Sequence, residues 1–279
     1  MTEVVVNSVE SEDIDDALER LRRVLRDCAE DNCLSIAYSG GLDSRFLAFF
    51  AVRCGISVEL LHASARHISA TETKEAIERA AELGLAVRVV RAQMPDYAQL
   101  AAAGRDRCYV CKRSVFSSLL SQAASPLCDG SNASDKEQFR PGSRAVKELG
   151  VRTPLADAGL SKPMIRKAAA LLGLSDPQQP ARPCLMTRFD YADAPDERRL
   201  SLTQQAEDFL AGQEDLKAGF RLRWLGDQAL LHVSSDGAPS QAALQQIRAR
   251  LMRKLPRLGA VRVEVLETLS GWFDRNRGA

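Results

Sequence analysis

The sequence predicts an α/β protein: a parallel sheet with helices on both faces, followed by a small C-terminal α+β domain. Three observations carry the prediction. Short apolar runs at residues 34–38, 57–63 and 86–93 alternate with longer amphipathic segments, the pattern of βαβ units. The stretch "LSIAYSGGLDSRFLAFFAV" (34–52) takes one such run through two glycines and straight into an apolar helix. After about residue 196 the alternation gives way to a helix, a hairpin, a helix and a strand.

Taken in order, Ile14, Leu18, Leu21, Val24 and Leu25 share one face of a helix over 12–30. Leu34–Tyr38 is short and continuously apolar, as a strand covered on both faces must be. A turn at Ser39–Ser44 leads into a helix ending near Arg53, and Gly55 punctuates it. Residues 57–63 form the second strand, "SATETKEAIERAAELG" a capped helix closed by Gly84, and residues 86–93 the third strand. Residues 95–107 are polar and alanine-rich and read as loop or helix. They lead to "RCYVCKRSVFSSLLSQAA", helical after its cysteines, and then to "PLCDGSN", a short strand breaking into a turn. Beyond the loop-like "DYADAPDE" come the helix "ERRLSLTQQAEDFLAGQ" and the hairpin "FRLRWLGDQALLHVSS", turned at Gly226-Asp227. A helix over "SQAALQQIRARLMRKLPRLG" and a closing strand over "AVRVEVLETL" complete the chain. A boundary near 190–198 divides it into domains 1–195 and 196–279.

Bulk composition narrows the function classes. Thirty-eight basic against 37 acidic residues create no global field, and 5% aromatics offer little stacking surface, so nucleic acid is not a favoured partner. No apolar run approaches the ~20 residues that cross a bilayer, and the acidic amino terminus lacks a signal-type apolar core. A cytoplasmic protein without a membrane partner is expected. Seven cysteines are too few, too scattered and too odd in number for a disulfide framework. Cys28, Cys33, Cys54 and Cys128 lie in or beside apolar patterns and read as small core hydrophobes. Cys108, Cys111 and Cys184 do not.

The loop Ser39-Gly40-Gly41-Leu42-Asp43-Ser44 is too small and too rich in glycine to serve packing. In open parallel sheets ligands bind where strand carboxyl ends meet helix amino ends, and a helix amino end holds phosphate. Glycines let the backbone approach the oxygens, and the serines add hydroxyl donors. No lysine follows, which excludes the kinase-type P-loop, and the spacing is not that of a dinucleotide fingerprint. The fragment resembles the S-G-G-x-D-S loop of the PP-loop ATP pyrophosphatases, which holds the β,γ-pyrophosphate of ATP while a substrate oxygen attacks the α-phosphorus. That resemblance implies ATP and Mg²⁺, with Ser39, Gly40, Gly41, Asp43 and Ser44 at the pyrophosphate and Asp43 oriented toward the metal.

Within that superfamily, "DGSNASDKEQFRPGSRAVKELGVRTPL" (129–155) resembles a block of the LarE-type sulfur transferases, which supply sulfur to the nickel-pincer nucleotide cofactor of lactate racemase. Asp129, Gly130, Asn132, Asp135, Arg140-Pro141-Gly142 and Pro154-Leu155 match it, the last two closing an apolar strand in the family's pattern. Asn132 and Asp135 stand at a second strand end, suited to Mg²⁺ or pyrophosphate. "QPARPCLMTRFDY" places Cys184 at the family's sulfur-bearing cysteine and Arg188 at its arginine. It departs at Met186-Thr187, where the family has Ala-Ser, and at Phe189-Asp190, differences that bear on substrate fit. "AEDFL" (206–210) and "FRLRWLGDQALLHV" match two further stretches. Arg221 and Arg223 alternate on one strand face, so they can grip a phosphate or carboxylate together. The resemblance runs over about residues 15–270.

It implies that ATP adenylates a carboxylate of a pyridinium dicarboxylate mononucleotide and that sulfur then displaces AMP. Two routes for the sulfur stay open. Cys184 can form a thioester and surrender its own sulfur, turning over once. Alternatively Cys108, Cys111 and Cys184 hold a [4Fe–4S] cluster by three irons, leaving the fourth for an added sulfide from an external donor. A redox dithiol, a Cys₃His zinc site or two helix cysteines without a role are the plainer readings of C-x-x-C, and only three histidines (His62, His67, His232) disfavour zinc. Relatives form homo-oligomers, and one is expected here. Rival functions are a PP-loop tRNA thiolase, which should carry a basic surface, and a non-catalytic ATP-binding module, which leaves the three cysteines unexplained. An amidotransferase-type synthetase is weaker still, since the sequence shows no glutaminase segment or ammonia-channel signal.

Overall fold

A strand that is apolar on both sides needs cover on both faces, and the chain provides it with helices. The computed structural model describes residues 2–137 and 141–276. Along them run α1 (Thr2–Cys28), β1 (Cys33–Ala37), α2 (Leu42–Arg53), β2 (Ser57–Ser64), α3 (Ala70–Ala81), β3 (Val87–Arg91), α4 (Tyr97–Ala102), α5 (Arg107–Leu120) and β4 (Leu127–Cys128). There follow α6 (Pro141–Glu148), α7 (Pro154–Asp157), α8 (Lys162–Leu171), α9 (Glu197–Ala211), β5 (Phe220–Leu225), β6 (Gln228–Ser234), α10 (Gln241–Lys254), β7 (Val261–Leu266) and α11 (Trp272–Arg275). Met1–Pro95 with Arg105–Arg182 form one compact unit, and Asp96–Gly104 with Pro183–Ala279 form a second.

The first unit is built on a four-stranded parallel sheet in the order β3-β2-β1-β4. Ile36 of β1 is in register with Leu60 of β2 on one side and Cys128 of β4 on the other. The chain moves outward from β1 through β2 to β3, then returns to the opposite side of β1. That reversal opens a crevice beyond the carboxyl ends of β1 and β4, the place where such sheets bind ligands. On one face Leu21 and Leu25 of α1, Phe46 and Leu47 of α2 and Ile165 of α8 are buried with Leu34 and Ile36. A second cluster joins Val115, Phe116 and Leu119 of α5 and Val146 of α6 to Leu61, Val90 and Leu127. The side-chain oxygen of Ser69 accepts the Glu72 amide and caps α3, a contact worth about 1 kcal/mol.

Three elements differ from expectation. α1 begins at Thr2 rather than near residue 12. Both C-x-x-C cysteines lie inside α5, not before it. The apolar strand expected to end at Pro154-Leu155 reduces to one parallel bridge between Cys128 and Arg152. The chain then turns into α7, because proline at the first helical position fits a helix and cannot extend a ladder. Arg140 lies outside the described residues.

In the second unit β5 and β6 form the anticipated hairpin, Leu222 opposite Leu231, turned where Gly226 adopts φ 56°. α10 carries the chain across so that β7 runs parallel to β6, which makes the three-stranded sheet mixed, in the order β5-β6-β7. Leu222, Trp224, Leu231 and Val233 are buried, as are Ala206 of α9 and Ile247 and Leu251 of α10. The buried indole of Trp224 donates to Thr203 Oγ1 at 2.8 Å, so its N–H is not orphaned. Among the described residues no helix is long and apolar enough to cross a membrane.

Candidate functional site

The glycine loop sits at the carboxyl end of β1 and opens α2. Gly40 adopts φ 75°, and a Cβ on it would lie 2.7 Å from Ala76 Cα, so only glycine fits on both counts. Gly41 is the N-cap of α2, in an extended conformation and with no side-chain capping bond of its own. Ser44 Oγ donates to Gly41 O at 3.1 Å and lies 3.2 Å from Ser39 Oγ, while the Gly41 amide points at Ser39 Oγ at 3.3 Å. The two hydroxyls close the loop on itself and leave the amino end of a 12-residue helix at the mouth. Directly beneath, Arg45 is fully buried.

The second turn, after β4, packs on the first. A Cβ on Gly130 would come within 2.9 Å of the Ser44 backbone nitrogen, so the two strand-end turns meet backbone to backbone. Asn132 is buried, its Oδ1 accepts the Ser134 amide at 3.0 Å, and its own amide donates to Asp135 Oδ2 at 3.1 Å. Both residues therefore shape the turn that faces the loop. Asp129 accepts the Ser131 amide and pairs with Lys112 at 3.0 Å. Burial pushes its carboxyl upward, but Lys112 and the Ser131 hydrogen bonds outweigh it and hold the group below its ordinary value. Lys112 follows Cys111, so this pair ties the C-x-x-C helix to the crevice.

Sequence reasoning missed the partner of Asp43. Lys162 Nζ stands 2.7 Å from Asp43 Oδ1, with both side chains about a quarter exposed. Lys162 opens α8, and its backbone amide donates to Ser134 Oγ at 3.0 Å, so the second turn orients it. The signal was its place in "SKP", a Ser N-cap and a helix start, which aims the side chain of the first residue along the helix mouth. Mg²⁺ takes one or two carboxylates plus substrate phosphates rather than a protein cage, so Asp43 on the first turn and Asp135 on the second are the candidates for it.

Cys108 is exposed and Cys111 half-buried on the opening turns of α5. Cys111 Sγ lies 3.7 Å from His67 Nε2, another contact the sequence did not announce. His67 is buried, which alone lowers its imidazole to about 4, so it is neutral near pH 7. Cys108 and Cys111 belong to the first unit and Cys184 to the second. Among the described residues no three His, Cys, Asp or Glu side chains gather as a metal-holding set.

In the second unit Cys184 is half-buried and caps a short 3-10 turn over Leu185–Arg188. Its carbonyl accepts from the Thr187 amide at 3.0 Å and the Thr187 hydroxyl at 2.9 Å. Arg188, expected against substrate, is buried in a bidentate pair with Glu207 (2.8 and 2.7 Å) and donates to Pro183 O at 2.9 Å. Its guanidinium thus braces the segment that bears Cys184. Glu207, the acid of "AEDFL", also accepts the Leu222 amide at 2.9 Å and joins that brace to β5.

Arg221 is half-buried on β5 and Arg223 is buried, donating to His232 Nδ1 at 2.6 Å and to Leu269 O. Burial, then the positive charges of Arg188 and Arg221, bring the Arg223 guanidinium down to about 10. Arginines close enough to depress one another make a region that an anion would relieve.

No family model matches the chain. It is 33% identical over 202 residues to an uncharacterized protein of Synechocystis sp., covering 71% of this chain and 74% of that one. It is 26% identical over 223 residues to an uncharacterized protein of Methanocaldococcus jannaschii, covering 78% and 84%. It is 27% identical over 183 residues to the pyridinium-3,5-bisthiocarboxylic acid mononucleotide synthase of Lactiplantibacillus plantarum, covering 63% and 66%.

Proposed function

The chain belongs to the LarE-like family, and on that premise we propose that it is an ATP-dependent sulfur transferase converting a carboxylate of a pyridinium dicarboxylate mononucleotide into a thiocarboxylate. The observation that carries this reading is the pair of turns at the sheet's switch point. Gly40 and Gly130 are both excluded from bearing a Cβ by neighbouring backbone, and Lys162 reaches the loop aspartate. Such an arrangement suits an anion, with a cation at its rim for a pyrophosphate leaving group.

In the reaction a carboxylate oxygen attacks the α-phosphorus of ATP and pyrophosphate departs. The loop amides, Lys162, the Ser39 hydroxyl and the Ser44 hydroxyl, once it lets go of Gly41 O, take up the charge that develops on it. Asp43 and Asp135 would hold Mg²⁺, which neutralises phosphate charge when bound. A carboxylate gains a leaving group only as the acyl adenylate, and a thiolate is the strongest side-chain nucleophile near pH 7. Cys184 Sγ attacks the acyl carbon, AMP departs, and a thioester forms. Removal of the Cys184 α-proton then breaks the Cβ–S bond, leaving thiocarboxylate on the nucleotide and dehydroalanine in the chain. Arg188 and Glu207 keep the Cys184 backbone in place, and Arg221 with Arg223 supply the counter-charge for the substrate's phosphate or second carboxylate.

A second reading has a [4Fe–4S] cluster on Cys108, Cys111 and Cys184 supply the sulfur. It is favoured by the exposed thiol of Cys108 one helical turn before Cys111 on α5. The test common to both is pyrophosphate release from Mg·ATP with the dicarboxylate mononucleotide present and absent. Release that ignores the nucleotide would sink the carboxylate-activating reading.

A further inference from the structure

We infer that Gln179 is a positioning residue for the nucleotide loop, holding the Gly40–Gly41 peptide with its N–H turned toward the anion, and that Arg45 sets the orientation in which Gln179 does so. The inference rests on the nucleotide reading above. Gln179 Nε2 donates to Gly40 O at 3.1 Å, and Gln179 Oε1 accepts from Arg45 Nη1 at 3.0 Å. Both side chains are buried, at 7% and 0% exposure.

A trans peptide is planar and sends its C=O and the following N–H in opposite directions. Pinning Gly40 O toward Gln179 therefore aims the Gly41 N–H the other way, toward Ser39 Oγ at the loop mouth. This peptide needs pinning. It lies between two glycines, and without a Cβ on either side it has the freest rotation in the loop. Flipped, it would present a carbonyl dipole to the phosphates and repel them.

Why Gln179 presents its amide nitrogen rather than its oxygen follows from Arg45. A guanidinium only donates, so it must meet Oε1, and that leaves Nε2 for Gly40 O. Arg45 is fixed in turn. Its Nη2 donates to Ser175 O at 2.9 Å and to Ser175 Oγ at 2.6 Å, and Glu82 lies 3.8 Å away. Ser175 Oγ donates to Glu82 at 2.6 Å. The loop's peptide orientation is thereby referred back, through three side chains, to the carboxyl end of α3.

Two substitutions separate this role from plain packing. Gln179→Glu still accepts from Arg45, more strongly, but cannot donate to Gly40 O. Gln179→Lys donates to Gly40 O but places a second cation against Arg45. Binding of Mg·ATP and of pyrophosphate is measured by calorimetry beside the melting temperature. The expected result is a crossed one. Gln179→Glu melts no lower than wild type yet binds both ligands about tenfold more weakly, and Gln179→Lys melts lower yet keeps most of the affinity. Affinity that follows melting temperature across the two variants, or wild-type affinity in Gln179→Glu, overturns the positioning role. A wild-type chain that binds neither ligand overturns the nucleotide reading itself, and the inference with it.

Discussion

Lys162 Nζ and Asp43 Oδ1 stand 2.7 Å apart although 119 positions separate them in the chain. The pair joins the first turn of α2 to the first turn of α8, so two helix amino ends converge on one spot, each with a charged residue of opposite sign. Beside the proposed phosphate site an aspartate alone would be unfavourable, because like charges repel. With Lys162 it becomes a neutral rim, and in the proposed reaction the cation would pass to an incoming phosphate while the carboxylate turns to a metal ion.

That exchange predicts a large kinetic and a small structural effect. Both side chains are about a quarter exposed, and a pair of that exposure is worth less than about 1 kcal/mol of stability. Loss of one preorganised charge from a transition state costs about 10²–10³-fold. Lys162→Met should therefore slow pyrophosphate release by about that factor while the melting temperature hardly moves. Equal release rates in the variant and wild type would remove Lys162 from the site.

The contact between the two turns makes a second prediction. In Gly130→Ala the new Cβ meets Ser44 N at 2.9 Å and Asp43 C at 3.2 Å, rigid backbone that a side-chain rotation cannot clear. The turn or the start of α2 must move, at about 1–3 kcal/mol, and KM for ATP should rise. Gly212→Ala is the control, since its Cβ would find ordinary space at 3.6 Å from Phe209 O. Matching KM values for the two variants would show that the turns are not coupled at the loop.

What could be read in the sequence was local. The loop, its strand and its helix are contiguous, and a strand that turns through two glycines into a helix amino end is suited to an anion and to little else. The hairpin at Gly226 was legible for the same reason, since turn chemistry and register sit within the 14 residues from Phe220 to Val233. Cys184 and Arg188 were legible as a motif, but not the role of Arg188, because its partner Glu207 lies a helix away. Lys162, Gln179 and His67 were hidden more completely. Each acts through a contact spanning tens of residues, and nothing in a single chain's periodicity reports which buried polar groups meet. α1 extends to Thr2 where apolar spacing signalled a helix only from residue 12, so its first turns follow from continuity rather than amphipathicity.

His232 gives the second unit a pH dependence with a definite sign. It is fully buried, between Arg223 at Nδ1 and Glu264 3.4 Å from Nε2, with the Trp272 ring 4.8 Å away. Burial, then the charges of Arg223 and Arg262, lower its imidazole from 6.5 to about 4. The unfolded chain thus takes up a proton first as the pH falls. The stability tied to neutral His232 is complete above about pH 6.5 and declines toward pH 4, by on the order of 3 kcal/mol across the window. His232→Asn should flatten the melting-temperature profile between pH 7 and 4.5 relative to wild type. Parallel profiles would mean the imidazole titrates normally in the folded chain.

The three cysteines allow the sulfur route to be separated from activation. In the proposed mechanism carboxylate activation uses the loop and Lys162 but no thiol, so Cys184→Ser should release pyrophosphate at near the wild-type rate and form no thiocarboxylate. Loss of both activities together would place Cys184 in nucleotide binding instead. The Cys108→Ala variant then divides the two donors. If Cys184 surrenders its own sulfur, Cys108→Ala still forms one thiocarboxylate per chain, and the intact mass of the used protein falls by one H₂S. If a cluster delivers the sulfur, wild-type protein purified without oxygen carries about four irons and absorbs near ~400 nm, and Cys108→Ala loses the iron and the product together. Both outcomes keep the side chain of Cys184 on the bracing turn that Arg188 and Glu207 hold, which is why Glu207→Gln should lower thiocarboxylate yield in either case and leave pyrophosphate release unchanged.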